Sequence, residues 1–144
     1  MVVKVLDEIE KGIAKPRPQI GEPTYCRKIV KEDGHIDWHR PSCEIDARIR
    51  AFDPWPGSFT FLRDLRLFIL EAEPFDDFKP MSNAGYMTNP SPGTIIATVV
   101  PKGIIVRAGN GYIAIKRLQV ATRKAIGFQE FSHGARDIIG AVLR

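Results

Sequence analysis

Apolar positions along the chain change period twice, first at helical spacing and later at strand spacing. Val2, Leu6, Ile9 and Ile13 recur at intervals of three and four, which predicts a short helix over Val3 to Lys11, stopped by Gly12. So short a helix does not hold alone in water, so its apolar face needs a partner. Pro16, Pro18 and Pro23, with Gly21 among them, then predict an extended arm. It runs from Thr24 through Tyr25, Cys26, Arg27, Lys28 and Lys31 to a turn at Glu32-Asp33-Gly34, and Ile36-Asp37-Trp38 closes it. Helical spacing returns after Pro41. Ser42 reads as an N-cap, Glu44 and Asp46 suit the helix dipole, and Ile45, Ile49 and Phe52 form the inward stripe, with Arg48 and Arg50 facing elsewhere.

Pro54 and Pro56 stop that helix, since an interior proline costs about 3 kcal/mol. Trp55 between them reads as a core plug at a structural corner, with a ligand-contacting tryptophan as the alternative, and Gly57 releases the chain. Strand patterning follows. Ser58 to Leu62 and Leu65 to Ala72 flank a tight turn at Arg63-Asp64. Glu73 to Pro92 reads as a long polar loop carrying Phe75, Phe78, Tyr86 and Met87. Thr94 to Val99, Ile104 to Ala108 and Tyr112 to Gln119 are three further runs, separated by Pro101-Lys102-Gly103 and Gly109-Asn110-Gly111. A short helix from Phe128 to His133 ends at Gly134. The pattern predicts a mainly β protein: a five- to six-stranded, OB-like Greek-key barrel with short flanking helices and an extended N-terminal arm. Residues 1–41 would form the helix and arm, and residues 42–144 the barrel domain.

Composition adds bounds. With 144 residues and 44% hydrophobic content, the chain can bury a core. It has no apolar run of about 18 residues, so no membrane partner is expected. Asp7, Glu8 and Glu10 interrupt any signal-like stretch, and two cysteines without pairing logic suit a reducing compartment. A cytoplasmic protein is the expectation. The net charge of +4 is uneven: from Pro101 onward eight cations face only Glu130 and Asp137, leaving residues 1–100 at −2. Such a half invites a polyanion, although basic surfaces also serve solubility.

Catalytic patterns do not emerge. His35, His39 and Cys43 stand four apart, with Cys26 upstream, but Gly34 and Pro41 break the helix that would align them as metal ligands. The nucleophile pattern G-x-S-x-G is missing, no paired carboxylates stand out, and a hairpin turn explains Gly109-Asn110-Gly111. No catalytic residue and no metal site is expected. Two basic segments remain. Arg123 and Lys124 follow the last strand, preceded by Lys116 and Arg117, and Arg27, Lys28 and Lys31 lie beside Tyr25 on the arm. Each reads either as a groove for a nucleic-acid backbone or as a solvated face.

Arg50-Ala51-Phe52-Asp53-Pro54-Trp55-Pro56-Gly57 resembles the R-A-F-(N/D)-P-W-P-G signature of the C-terminal domain of methionyl-tRNA formyltransferases. Other segments agree in order. Gln19, Thr24-Tyr25 and Lys28 resemble that family's linker, and residues 31–38 its K-E-D-G-x-I-D-W. Pro92-Gly93-Thr94-Ile95 resembles its P-G-T-I, and Leu118-Gln119 with Arg123-Lys124-Ala125 its L-Q…G-K-K-A/P. Thr122 departs from the family's usual glycine, Gly127 from its helix-capping serine, and the loop from Glu73 to Pro92 looks long.

The resemblance implies an accessory barrel that helps to hold initiator Met-tRNA in translation initiation, with Lys28, Lys31, Arg117, Arg123 and Lys124 facing the RNA and Phe52, Pro54, Trp55, Pro56 and Gly57 as the structural motif. In that family catalysis belongs to another domain, which binds 10-formyltetrahydrofolate. This chain by itself is therefore expected to bind no cofactor, to transfer no formyl group and to partner a catalytic formyltransferase domain. Two alternatives stand beside this. One is the scaffolding domain of a related formyl-folate or nucleotide-sugar formyltransferase. The other is an interaction module that self-associates through residues 2–13.

Overall fold

The computed structural model describes residues 2–18, 20–75, 90–135 and 137–144. Helix α1 (Val2–Glu10) leads into an arm without regular structure, which ends in a 3-10 turn (Lys31–Gly34). Helix α2 (Ser42–Ala51) follows, then strands β1 (Ser58–Leu62), β2 (Leu65–Pro74), β3 (Ile95–Val99), β4 (Gly103–Arg107), β5 (Tyr112–Val120) and β6 (Ala125–Gly127), and helix α3 (Phe128–Gly134). Most of the expected loop from Glu73 to Pro92, with Phe78, Tyr86 and Met87, lies outside the described residues, as does Gln19. Glu73 and Pro74 are the end of β2 and do not belong to a loop.

The six strands form one antiparallel sheet in the order β1-β2-β5-β4-β3, with β6 on β5. Strands β3, β4 and β5 form a meander, and β2 returns beside β5, which is the Greek-key arrangement. The expected barrel is not closed by strand pairing, because edge strands β1 and β3 do not pair with each other among the described residues. Instead the C-terminal segment lies between those edges, with Leu143 bridged to Leu62 and Val142 to Thr94. Its backbone exchanges hydrogen bonds between Arg144 and Phe61 at 2.7 and 2.9 Å. Gly93, at φ 86°, allows the approach, since a Cβ there would overlap the Leu143 carbonyl.

Alternation along β1 and β2 sends Ser58, Thr60, Leu62, Leu67 and Ile69 inward, where all five are buried. Thr60 is polar yet fully buried because its hydroxyl accepts from Trp38 Nε1 at 3.0 Å and donates to the Arg144 carbonyl at 2.8 Å. Trp38 and Ile36 thereby pack into the same core as Ile45 and Ile49 of α2. Each buried aliphatic side chain there contributes about 1.5–3 kcal/mol. Ile104, Ile105 and Val106 are consecutive and all buried, so β4 is covered on both faces.

Helix α2 is capped one residue earlier than the sequence suggests. Pro41 is the N-cap, its carbonyl accepting from Glu44 and Ile45, while the Ser42 amide donates to Asn110 at 3.0 Å. The corner after α2 corrects the reading of Trp55 as a core plug. Trp55 is 54% exposed, because residues 53–56 run over the surface between the end of α2 and Ser58. Phe52, Pro56 and Gly57 are half-buried and Pro54 is exposed. The corner is closed by Phe52 donating to Arg48 and Gly57 to Phe52, both at 2.9 Å.

Candidate nucleic-acid interface

Pairing of Phe59 with Phe68 and of Phe61 with Arg66 places these four side chains on the outer face of the β1–β2 hairpin. Gln119 of β5, opposite Phe68, continues that row, and Ala125 of β6, opposite Gln119, extends it. Phe59 points outward yet is buried, because other groups cover it. His35 stacks on its ring at 5.2 Å with an interplanar angle of 24°, and the Arg66 guanidinium lies 3.7 Å from its centroid. Arg66 also approaches Phe68 at 4.9 Å. Phe61 meets both Phe59 and His35 edge-on and stays partly exposed.

Arg117, Arg123 and Lys124 come together on the β5–β6 ribbon. Arg117 is exposed on β5, opposite Glu71 in β2 and Gly127 in β6. Arg123 and Lys124 are exposed in the β5–β6 turn. Three bonds hold that turn: Arg123 N–H to the Val120 carbonyl at 2.9 Å, Gln119 Nε2 to the Arg123 carbonyl at 2.6 Å, and Ala121 N–H to the Arg66 carbonyl at 2.9 Å. Thr122 takes φ 69° there, in the left-handed region that a glycine adopts freely.

The arm cations divide. Arg27 is already engaged, gripping Asp33 through both guanidinium Nη atoms, one of them 2.9 Å from Oδ2. The same carboxylate accepts from the Val30 amide at 2.8 Å. These contacts, that with Arg27 foremost, hold the Asp33 carboxyl below its ordinary range. Lys28 is exposed on the arm and offers its carbonyl to Arg27 at 3.3 Å. Lys31 is different. It lines a cleft of about 350 Å³ with Glu32, His35, Phe59, Phe61 and Arg66.

Ion pairing separates the cations further. Arg40 pairs with Asp37 and Glu44, Arg50 with Asp46, and Lys116 with Glu73 at 2.7 Å, which raises the Lys116 pKa. Among the described residues, Lys28, Lys31, Arg117, Arg123 and Lys124 have no such carboxylate. Sequence reasoning passes over Phe61 and Arg66. Alternation from the Arg63-Asp64 turn was the signal that would have placed both on one face. The histidines and cysteines are dispersed: His35 stacks on Phe59, His39 faces Asp37 at 3.3 Å, and Cys26 and Cys43 are exposed.

Residues 28–136 match the family model described as formyl transferase, C-terminal domain. The chain is 37% identical over 136 residues to a methionyl-tRNA formyltransferase of Treponema denticola, covering 94% of this chain and 41% of that protein. The enzyme of the same name from Marinobacter nauticus is 34% identical over 139 residues, covering 96% and 42%. The chain thus spans about two-fifths of the length of these relatives. HypX from Aquifex aeolicus in complex with tetrahydrofolic acid shares the fold at TM-score 0.55 and 20% identity, over 90% of this chain and 22% of that one. With an antiparallel Greek-key sheet, the R-A-F-D-P-W-P-G corner and a family match over most of its length, this chain belongs to the formyl transferase C-terminal domain family.

Proposed function

We propose that this chain is the accessory, tRNA-holding domain of a methionyl-tRNA formyltransferase, acting in the cytoplasm beside a catalytic formyltransferase domain. In this reading formylation of initiator Met-tRNA takes place on that other domain, which would carry the folate donor. The present chain supplies grip. The observation that carries the reading is the group of exposed cations without carboxylate partners, Arg117, Arg123 and Lys124 on one ribbon and Lys31 and Lys28 on the arm. Cations left unneutralised favour a polyanion, since each phosphate contact releases condensed counterions. Backbone contacts of this kind position an RNA without reading its sequence.

The test is a salt titration of tRNA binding by the chain and by its Arg123→Ala/Lys124→Ala variant. Each lost phosphate contact is expected to flatten the plot of log affinity against log salt by ~0.7 on a single strand or ~0.9 on a duplex. The loss should be about equal for unrelated tRNAs. Parallel slopes with equal affinities would remove the ribbon from the interface. Absence of tRNA binding by the parent chain would leave the scaffolding reading, in which the same fold braces a formyltransferase for another substrate.

A further inference from the structure

We propose that the cleft between the 3-10 turn and the β1–β2 hairpin receives one unpaired nucleotide of an RNA single strand, its base stacking on Phe61 with His35 at its edge and its phosphate meeting Arg66 and Lys31. This rests on the RNA-binding reading and extends it from backbone grip to recognition of strandedness. Phe61 is 36% exposed on the sheet's outer face, where Phe59 and Phe68 are covered, so its ring is the part of the aromatic cluster left to a partner. His35 is exposed beside it, with ring centroids 5.9 Å apart.

Arg66 supplies the second argument. Its guanidinium is pinned by Phe59 and Phe68, and among the described residues it forms no ion pair. Its Nε is buried without a hydrogen-bond partner. A guanidinium held against two rings and left without a carboxylate is preorganised for a planar or anionic ligand. Lys31 lines the same cleft, and Glu32 is its one carboxylate neighbour there. A nucleotide combines a π face with an anion and so matches both halves of the cleft. A duplex does not, because its base faces are stacked internally.

Position agrees with this. The Arg66 carbonyl accepts from Ala121 in the β5–β6 turn, so the cleft lies between the ribbon bearing Arg123 and Lys124 and the arm bearing Lys31. A strand gripped at both places would cross the Phe61 ring.

The experiment measures binding of the full chain to a labelled oligouridylate and to a blunt RNA duplex of matched phosphate count. Phe61→Leu keeps apolar volume but removes the π face. It is expected to weaken oligouridylate binding by ~5- to 150-fold, the range for losing one base–aromatic stack. Duplex affinity and both salt slopes should stay as in the parent, and Phe61→Trp should restore the single-strand affinity. Lys31→Gln should weaken both ligands and flatten both slopes. Equal oligouridylate affinities for the parent and Phe61→Leu would overturn the proposal, as would an equal loss on the duplex. Loss of concentration-dependent self-association in Phe61→Leu, with RNA affinity unchanged, would assign the face to a second copy and also overturn it. If Arg123→Ala/Lys124→Ala still weakens tRNA binding in either case, the broader RNA reading survives. A parent chain that binds neither RNA would sink both.

Discussion

Thr122 carries a local cost that the sequence signals and the structure explains. Its φ of 69° lies where a Cβ crowds the following carbonyl, at about 1–2 kcal/mol for ordinary residues, and Thr is β-branched as well. The turn is kept nonetheless, because the bonds from Ala121, Arg123 and Gln119 fix it from three sides. Thr122→Gly is therefore expected to stabilise the fold by roughly 0.5–1 kcal/mol, the relief of strain exceeding the extra unfolded-state entropy of glycine. A urea midpoint that rises at unchanged slope would bear this out. A fall would mean that the threonine side chain contributes more than its backbone loses. Trp55 and Phe61 show where single residues resisted reading. Composition favours burial of any large aromatic, but exposure depends on which elements come to cover it, and that is decided at long range. Helix α2 reaches the sheet before the corner and leaves Trp55 outside, while Arg66 and His35 cover Phe59 and leave Phe61 at the edge.

Among the elements, strands were the most legible, since a period of two with one buried face admits a single register. Ser58–Leu62 is as the pattern places it, and the end of β2 differs by two residues because Glu73 and Pro74 still pair with Ala114 and Ile113. The turn at Glu32-Asp33-Gly34 was legible and is the 3-10 turn, but its tie to the arm was not, because that depends on one side chain reaching back along the chain. Asp33 binds Arg27 and the Val30 amide, and its own carbonyl accepts from Arg48 of α2 at 2.9 Å. The arm is thus tied to the helix just where Lys31 begins. Since contact with Arg27, then with Val30, lowers the folded-state pKa of Asp33, this link is fully present above the ordinary carboxylate value of about 3.9. It is lost only as pH falls through the lower folded value. The Val30 amide resonance should accordingly stay constant from neutral pH down past that ordinary value and move only in stronger acid. Asp33→Asn should abolish the transition and speed tryptic cleavage after Lys28 at neutral pH. An amide that titrates at the ordinary carboxylate value would show that Arg27 does not engage Asp33 in solution.

At the scale of the molecule, the charge imbalance between the halves was visible in the sequence, but its use was not, because pairing decides which cations remain free. Arg27 and Lys116 are spent on Asp33 and Glu73, while Arg123 and Lys124 are not. Helix α1 presents a comparable question for apolar surface. None of its residues is buried, and Val2, Leu6 and Ile9, with Ile13 just beyond, are all more than half exposed. Ile45 and Ile49 of α2 make the contrast, since tertiary packing buries both. A nine-residue helix without such packing lies below the length that is stable alone in water. Burial of each aliphatic side chain would return about 1.5–3 kcal/mol, enough for a few of them to hold the helix once a surface covers them. In dilute, strictly monomeric samples the amides of α1 should therefore exchange hydrogen at near-unprotected rates, while those of β4 and β5 exchange only on global opening. Raising the concentration until the chain self-associates, or adding a catalytic formyltransferase domain, should protect Leu6 and Ile9 first. Strong protection of α1 in the monomer would show that the helix needs no second surface, and would remove residues 2–13 as a docking element.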